Sequence, residues 1–176
     1  MARALRRRER ALNIRRFVAA DAQALRALRL EGLKNHPENF GADYDHEAAQ
    51  PLDWWIKRIG GGRGFGAWDG DELVGVIVFA QEQEKKHRHQ GVIGGFYVRP
   101  AWRGKGLGDR LMKVALDEAA KAVEHVTLTV TASNAGAIRL YERNGFVVVG
   151  RMIASIRVDG ADHDELAMHR WVGSTA

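Results

Sequence analysis

Three glycines, Gly104, Gly106 and Gly108, alternate within five positions of the stretch RPAWRGKGLGDRLM, between Arg103 and Arg110. A strand running through such a turn into a helix aims several backbone N–H groups at one point, where the helix dipole adds partial positive charge. Missing Cβ atoms let an anion approach closely, and Arg103 can add a charge-assisted contact. The chemistry suited to this pattern is holding a phosphate or pyrophosphate. Two common phosphate loops do not match. Lys105 is followed by Gly106 rather than Ser or Thr, which excludes a Walker A loop, and Asp109 stands where the dinucleotide fingerprint needs its third glycine. A plain helix-start turn remains the bland alternative.

Upstream, Gly94 and Gly95 interrupt an otherwise apolar strand. Glycine inside a strand marks a bulge or the close approach of another backbone. An amide-bearing ligand could pair with the strand edge there, as an added strand does. Coenzyme A carries both amides and a pyrophosphate, and would use both features.

The elements that must position these residues follow from periodicity. Residues 13–18 alternate as a first strand, and Asp21 is placed to cap a helix over 21–33. Residues 34–50 read as an irregular, partly acidic connection. A helix over 51–59 starts at Pro51. Residues 65–81 form a hairpin around the turn DGDE. A polar loop leads to a strand over 91–98, stopped by Pro100. A helix is expected from about 105 to 123, a β-branched strand over 126–131, a short helix ended by Gly145, and strand-like runs to the end. The class is α/β: a single domain with a mixed central sheet, an antiparallel meander feeding one parallel β-α-β crossover.

The chain has 176 residues, 45% of them hydrophobic and 28% charged, enough for one sizeable core. Residues 13–173 are expected to be that domain. The net charge of +5 is mostly an N-terminal feature: five arginines against Glu9 give +4 within the first ten residues. Residues 1–12 are therefore read as a solvated basic arm, and nucleic acid as an unfavoured partner. No apolar run is long enough to span a membrane, no secretory h-region opens the chain, and cysteine is absent. Disulfides and thiol chemistry are excluded, and a cytoplasmic location is expected.

VRPAWRGKGLGDRLM resembles the acyl-CoA-binding motif of the GNAT family of N-acetyltransferases, [QR]-x-x-G-x-[GA], which Arg103, Gly106 and Gly108 fill. SNAGAIRLYERNGF resembles the family's next motif, an Asn followed by a helix ending in L-Y-E-x-x-G-F. The element order is similar over nearly the whole chain except the arm. The resemblance implies a GNAT-like fold with splayed central strands and acetyl-CoA between residues 91–98 and 126–131 as cosubstrate. It implies a pyrophosphate on the backbone amides of Arg103, Gly104, Lys105, Gly106, Leu107 and Gly108. Pantetheine would pair with Phe96, Tyr97 and Val98 and meet Asn134, with Tyr141 facing the sulfur. Asn134 and Tyr141 are seven residues apart, two helical turns, so both can face the same ligand.

The implied reaction is direct acetyl transfer to a primary amine of a small molecule or peptide. A backbone N–H near Val98 would meet the oxyanion. Tyr141 would give the leaving thiolate its proton as general acid. Tyr141 also has a structural role open to it: with Gly145 at C′, Tyr141 and Phe146 are the pair that packs in a Schellman ending. Ring packed and hydroxyl in the cleft satisfies both. Relatives place a glutamate on the strand before the glycine loop; here residues 91–98 hold no carboxylate. The alternative is therefore a non-catalytic acyl-CoA sensor or interaction module.

The remaining candidates carry less. Glu31, His36, Asp43, Tyr44 and Glu47 lie in the stretch that walls the family's acceptor site, and each also reads as a surface charge or turn residue. Glu38, Asp43, Asp45 and Glu47 hint at a cationic acceptor. Trp54 and Trp55 could line the acceptor pocket or the core. Arg110 and Lys113 could meet the 3′-phosphate of CoA or form a polar helix face. His87 and His89 sit among lysines and arginine, which disfavours a cation, and no metal is expected. A homodimer is common in the family.

Overall fold

The computed structural model describes residues 12–61 and 64–173. All of the basic arm but Leu12 lies outside the described residues. The first half runs β1 (Asn13–Arg16), α1 (Ala22–Asn35), α2 (Tyr44–Ala48), α3 (Leu52–Ile59), β2 (Gly64–Asp69), β3 (Glu72–Gln81) and β4 (Gln90–Val98). The second half runs α4 (Leu107–Ala119), β5 (His125–Thr131), α5 (Ala135–Arg143), β6 (Val147–Val158) and β7 (Ala161–Trp171). The strands form one sheet in the order β1-β2-β3-β4-β5-β7-β6. Among the described residues only β4 and β5 run parallel, joined by the α4 crossover; every other pair is antiparallel. This is the meander and single crossover that the element order predicts.

Two apolar clusters hold the layers together. Leu25 and Leu28 of α1 and Trp55 and Ile59 of α3 pack on Trp68, Leu73, Val76 and Tyr97. Leu107, Leu111 and Ala115 of α4 and Leu140 of α5 pack on Ile77, Val126 and Leu128. Burial of each large side chain here contributes about 1.5–3 kcal/mol. Trp55 is fully buried, so the core role holds for it.

The parallel pair is joined only at its base. Gln90, Gly91 and Val92 register with His125, Val126 and Thr127, and beyond Val92 the two strands separate. The cause is visible in β4. Val76 and Val78 of β3 face Tyr97 and Gly94, so β4 carries one extra residue over that interval. Gly95, at φ +58, absorbs it in the left-handed region that favours glycine. The bulge expected from the glycine pair is what opens the sheet.

Three elements differ from the sequence expectation. The helix predicted over 105–123 runs from Leu107 to Ala119, because Gly106 at φ +76 cannot be helical. Asp21 does not cap α1 with its side chain. It accepts two bonds from Arg15 at 2.6 and 2.9 Å and one from the Val18 N–H at 2.8 Å. The supposedly irregular connection contains α2. Its Glu47 is buried rather than exposed, accepting from Arg29 at 3.1 and 3.3 Å and from Arg58 at 3.3 Å. An ion pair across eighteen residues leaves no local pattern to read.

Candidate functional site

A cavity of about 850 Å³ fills the gap between the separated ends of β4 and β5. The glycine loop and α4 close one end, the start of α5 a second, and residues 36–40 cross the mouth.

The glycine loop offers donors. Gly104 and Gly106 sit at φ +69 and +76, with open space where a Cβ would stand. Arg110 donates its N–H to Gly106 at 3.1 Å, the first bond of α4. The N–H groups of residues 104–108 have no backbone acceptor among the described residues, as the start of a helix requires. Residue 103 is different from expectation. The Arg103 N–H already donates to Pro100 at 3.1 Å, so the cradle begins at Gly104. The Arg103 guanidinium is also engaged, donating to the Val98 carbonyl at 2.8 Å and to Nε2 of His36 at 3.3 Å. It fastens the loop to the strand end and to the segment across the mouth. Lys105 does not line the cavity; its ammonium lies 5.3 Å from the Trp102 ring. The Leu107 side chain is in the core, so only its backbone faces the loop. Gly108 lines the cavity and also lets α4 approach α5: a Cβ there would stand 2.4 Å from Leu140.

On β4, Phe96, Tyr97 and Val98 all reach the cavity. Arg99 donates its N–H to Val74 on β3 at 3.0 Å. Successive residues of a strand point their N–H groups to opposite edges. The Val98 N–H therefore points away from β3, toward the gap. Tyr97 is buried and donates its hydroxyl to Glu31 at 3.2 Å. Burial first, and the Glu31 carboxylate second, push its phenol above the ordinary range.

Asn134 and Tyr141 share the cavity as their spacing predicts. Asn134 caps α5, its Oδ1 accepting from the Ala137 N–H at 3.1 Å, while its Nδ2 donates to Asn39 at 3.2 Å. Tyr141 is buried between Phe96 and Phe146, with ring centroids 6.2 and 6.0 Å away. Its hydroxyl has no hydrogen-bond partner among the described residues and is not sealed from the cavity. Burial pushes that phenol well above its usual range, so it stays protonated at neutral pH.

Of the acceptor-wall candidates, His36 and Glu38 line the cavity; Glu31, Asp43, Tyr44 and Glu47 do not. Asp43 caps α2, accepting from the His46 N–H at 2.9 Å. Trp54 and Trp55 lie outside the cavity. Arg110 donates to Leu12 and Lys113 pairs with Asp117, so neither reaches it. Besides Arg103, the cations that do among the described residues are Arg139 and Arg143 of α5, one turn apart. Their i, i+4 spacing behind Asn134 was available in the sequence. Arg143 holds Asp109 at 2.8 and 2.9 Å and, as the main cause, keeps that carboxyl below the usual carboxylate range. Asn39, which carried no local signal, joins Asn134 to the segment across the mouth.

The model of the acetyltransferase (GNAT) family matches residues 17–146. The chain belongs to that family. It is 32% identical over 119 residues to a mycothiol acetyltransferase of Corynebacterium efficiens, a match covering 67% of this chain and 38% of that protein. The chain thus spans well under half the length of that relative. A GNAT-family acetyltransferase of Streptococcus pneumoniae shares the fold at a TM-score of 0.82 and 22% identity, covering 92% of this chain and 99% of that one. The structure of yncA of Salmonella typhimurium, solved with acetyl-CoA, superposes at 0.78 and 24% identity, covering 94% and 96%.

Proposed function

We propose that this protein is an acetyl-CoA-dependent N-acetyltransferase that acts on primary amines by direct attack within a ternary complex. One observation carries the proposal. A single cavity joins a cradle of backbone N–H groups to a buried, protonated tyrosine, and neither those groups nor the tyrosine hydroxyl has a hydrogen-bond partner among the described residues. The residues fit the cosubstrate. Residues 104–108 would hold the pyrophosphate, and Arg139, which lines the same cavity, would meet further phosphate charge. The open edge of β4 at Val98 and the side chain of Asn134 would receive the amide-bearing arm. Bound there, acetyl-CoA supplies an acetyl thioester. The Val98 N–H would donate to the oxygen that gains charge, and Tyr141 would hold the proton needed by the departing sulfur. Residues 13–173 would form the catalytic unit, and the cysteine-free chain suits the cytoplasm.

The absence of any carboxylate on β4 favours one second reading, an acyl-CoA sensor on the same fold. One assay separates the two. The protein is titrated with acetyl-CoA by calorimetry, then incubated with acetyl-CoA and a panel of primary amines while free CoA thiol is measured. Binding with amine-dependent thiol release supports the enzyme. Tight binding with no release supports the sensor, and no binding defeats both.

A further inference from the structure

The β4 strand carries no carboxylate, so a group that relieves an incoming ammonium of its proton must come from another wall. Among the described residues two carboxylates line the cavity, Glu38 and Asp109. Asp109 is committed. It accepts two bonds from Arg143 and one from Asn144 at 2.8 Å, and it sits at the start of α4 beside the glycine loop.

Glu38 is held differently. It lies in the single turn Pro37–Asn39 that crosses the mouth. Its backbone carbonyl is anchored by the Thr131 hydroxyl at 2.6 Å, at the open end of β5. Its carboxylate accepts from Asn39 Nδ2 at 3.2 Å, and Asn39 Oδ1 accepts from Asn134 at 3.2 Å. Asn134 caps the helix that carries Tyr141. A continuous chain of hydrogen bonds therefore ties the Glu38 carboxylate to the frame of the proposed acid. Nδ1 of His36 stands 3.9 Å from the same carboxylate oxygen. Arg103 can only donate, so Nε2 of His36 must accept from it, and the proton of neutral His36 faces Glu38. No arginine or lysine among the described residues forms an ion pair with Glu38. The other titratable groups around the cavity are Tyr97 from β4, Arg103 from the loop and Tyr141 and Arg139 from α5.

We propose that Glu38 is the acceptor-side catalytic carboxylate, binding the primary ammonium and taking its proton; this rests on the acetyltransferase reading above. One N–H proton passes to Glu38 and on to solvent past His36. The freed lone pair forms the C–N bond as the C–S bond breaks. Tyr141 gives its proton to sulfur, and the second proton lost by nitrogen restores the phenol. The balance is one ammonium and one acetyl thioester giving one amide, one thiol and one proton.

The test uses the full chain, acetyl-CoA, and a panel of free amino acids and short peptides with free N-termini. Glu38→Gln should bind acetyl-CoA and melt as wild type does. Its kcat/KM for the best amine should fall about 10²-fold or more at pH 7. That deficit should shrink steeply toward pH 9–10, where the amine deprotonates unaided. Glu38→Asp should keep the wild-type shape of the pH profile at a reduced rate. A Glu38→Gln profile parallel to wild type overturns the assignment alone, as does loss of acetyl-CoA binding in that variant. A wild-type protein that binds acetyl-CoA but acetylates no amine of the panel overturns the transferase reading and Glu38 with it.

Discussion

The Phe146 backbone N–H donates to the carbonyl of Tyr141 at 3.0 Å, and the two rings meet edge to face with centroids 6.0 Å apart. Gly145, at φ +82, donates to Glu142 at 2.9 Å. These are the two bonds of a Schellman ending, with its apolar contact. The cap and the chemistry do not compete for Tyr141. The ring belongs to the cap, which fixes where the free hydroxyl points.

This separation predicts the outcome of Tyr141→Phe. The phenyl ring keeps the cap contact, and no hydrogen bond within the described residues is lost. Stability should change by less than about 1 kcal/mol and acetyl-CoA affinity should be retained. Amine-dependent thiol release should fall by about 10²-fold or more, the usual worth of a general acid. Calorimetry and thiol release on the same preparation check this; an undiminished rate would remove Tyr141 from the chemistry.

The alternating glycines should separate into two kinds. At Gly106 a Cβ meets open space but the φ of +76 is left-handed, so Gly106→Ala should strain the loop by about 1–2 kcal/mol. Weakened acetyl-CoA binding is expected, with a stability loss no larger than that strain. At Gly108 φ is not left-handed, but the Cβ would lie 2.4 Å from buried Leu140. Gly108→Ala should push α4 from α5 and destabilise by about 1–3 kcal/mol. Acetyl-CoA titration should show the larger loss for Gly106→Ala, and denaturant midpoints a loss for Gly108→Ala at least as large as for Gly106→Ala.

What the sequence made legible was what short range controls. The glycine loop, the β4 bulge at Gly95 and the Tyr141–Phe146 ending all lie within a few residues of their own cause. Apolar and β-branched runs set off by turn residues supplied the meander and crossover, and α4 repeats its apolar face. The site features that escaped depend on distant partners. Arg103 looks like a free phosphate ligand until His36, sixty-seven residues away, is seen to accept from it. Asn39 reaches Asn134 across ninety-five residues. The segment across the mouth, and with it Glu38, is placed by such contacts.

Glu47 offers a stability test of one of them. It is 2% exposed and bridges Arg29 of α1 to Arg58 of α3. Glu47→Ala leaves Arg29 buried without its carboxylate, a change that costs about 3–5 kcal/mol. Chemical denaturation should show a loss of that size. A loss under about 1 kcal/mol would mean that the arginines find other partners or water.

At the far end of the sheet, where β5 begins, His89, His125 and His169 cluster. The His125 ring lies 4.7 Å from His169 and 5.4 Å from His89, centroid to centroid, and its buried Nδ1 has no hydrogen-bond partner among the described residues. Burial, then the two neighbouring histidines, lower its pKa below the ordinary 6.5, with Glu124 opposing. The folded state thus prefers the neutral ring, while the unfolded chain titrates near 6.5. Below that value the unfolded chain binds more protons, so stability is complete above it and declines as pH falls. Asp21 and Asp109, lowered from 3.8, change their contribution only at more acidic pH. Melting temperatures between pH 8 and pH 5 should therefore fall for wild type and fall less for His125→Phe. Equal slopes for the two proteins would show that the cluster's protonation does not destabilise the fold.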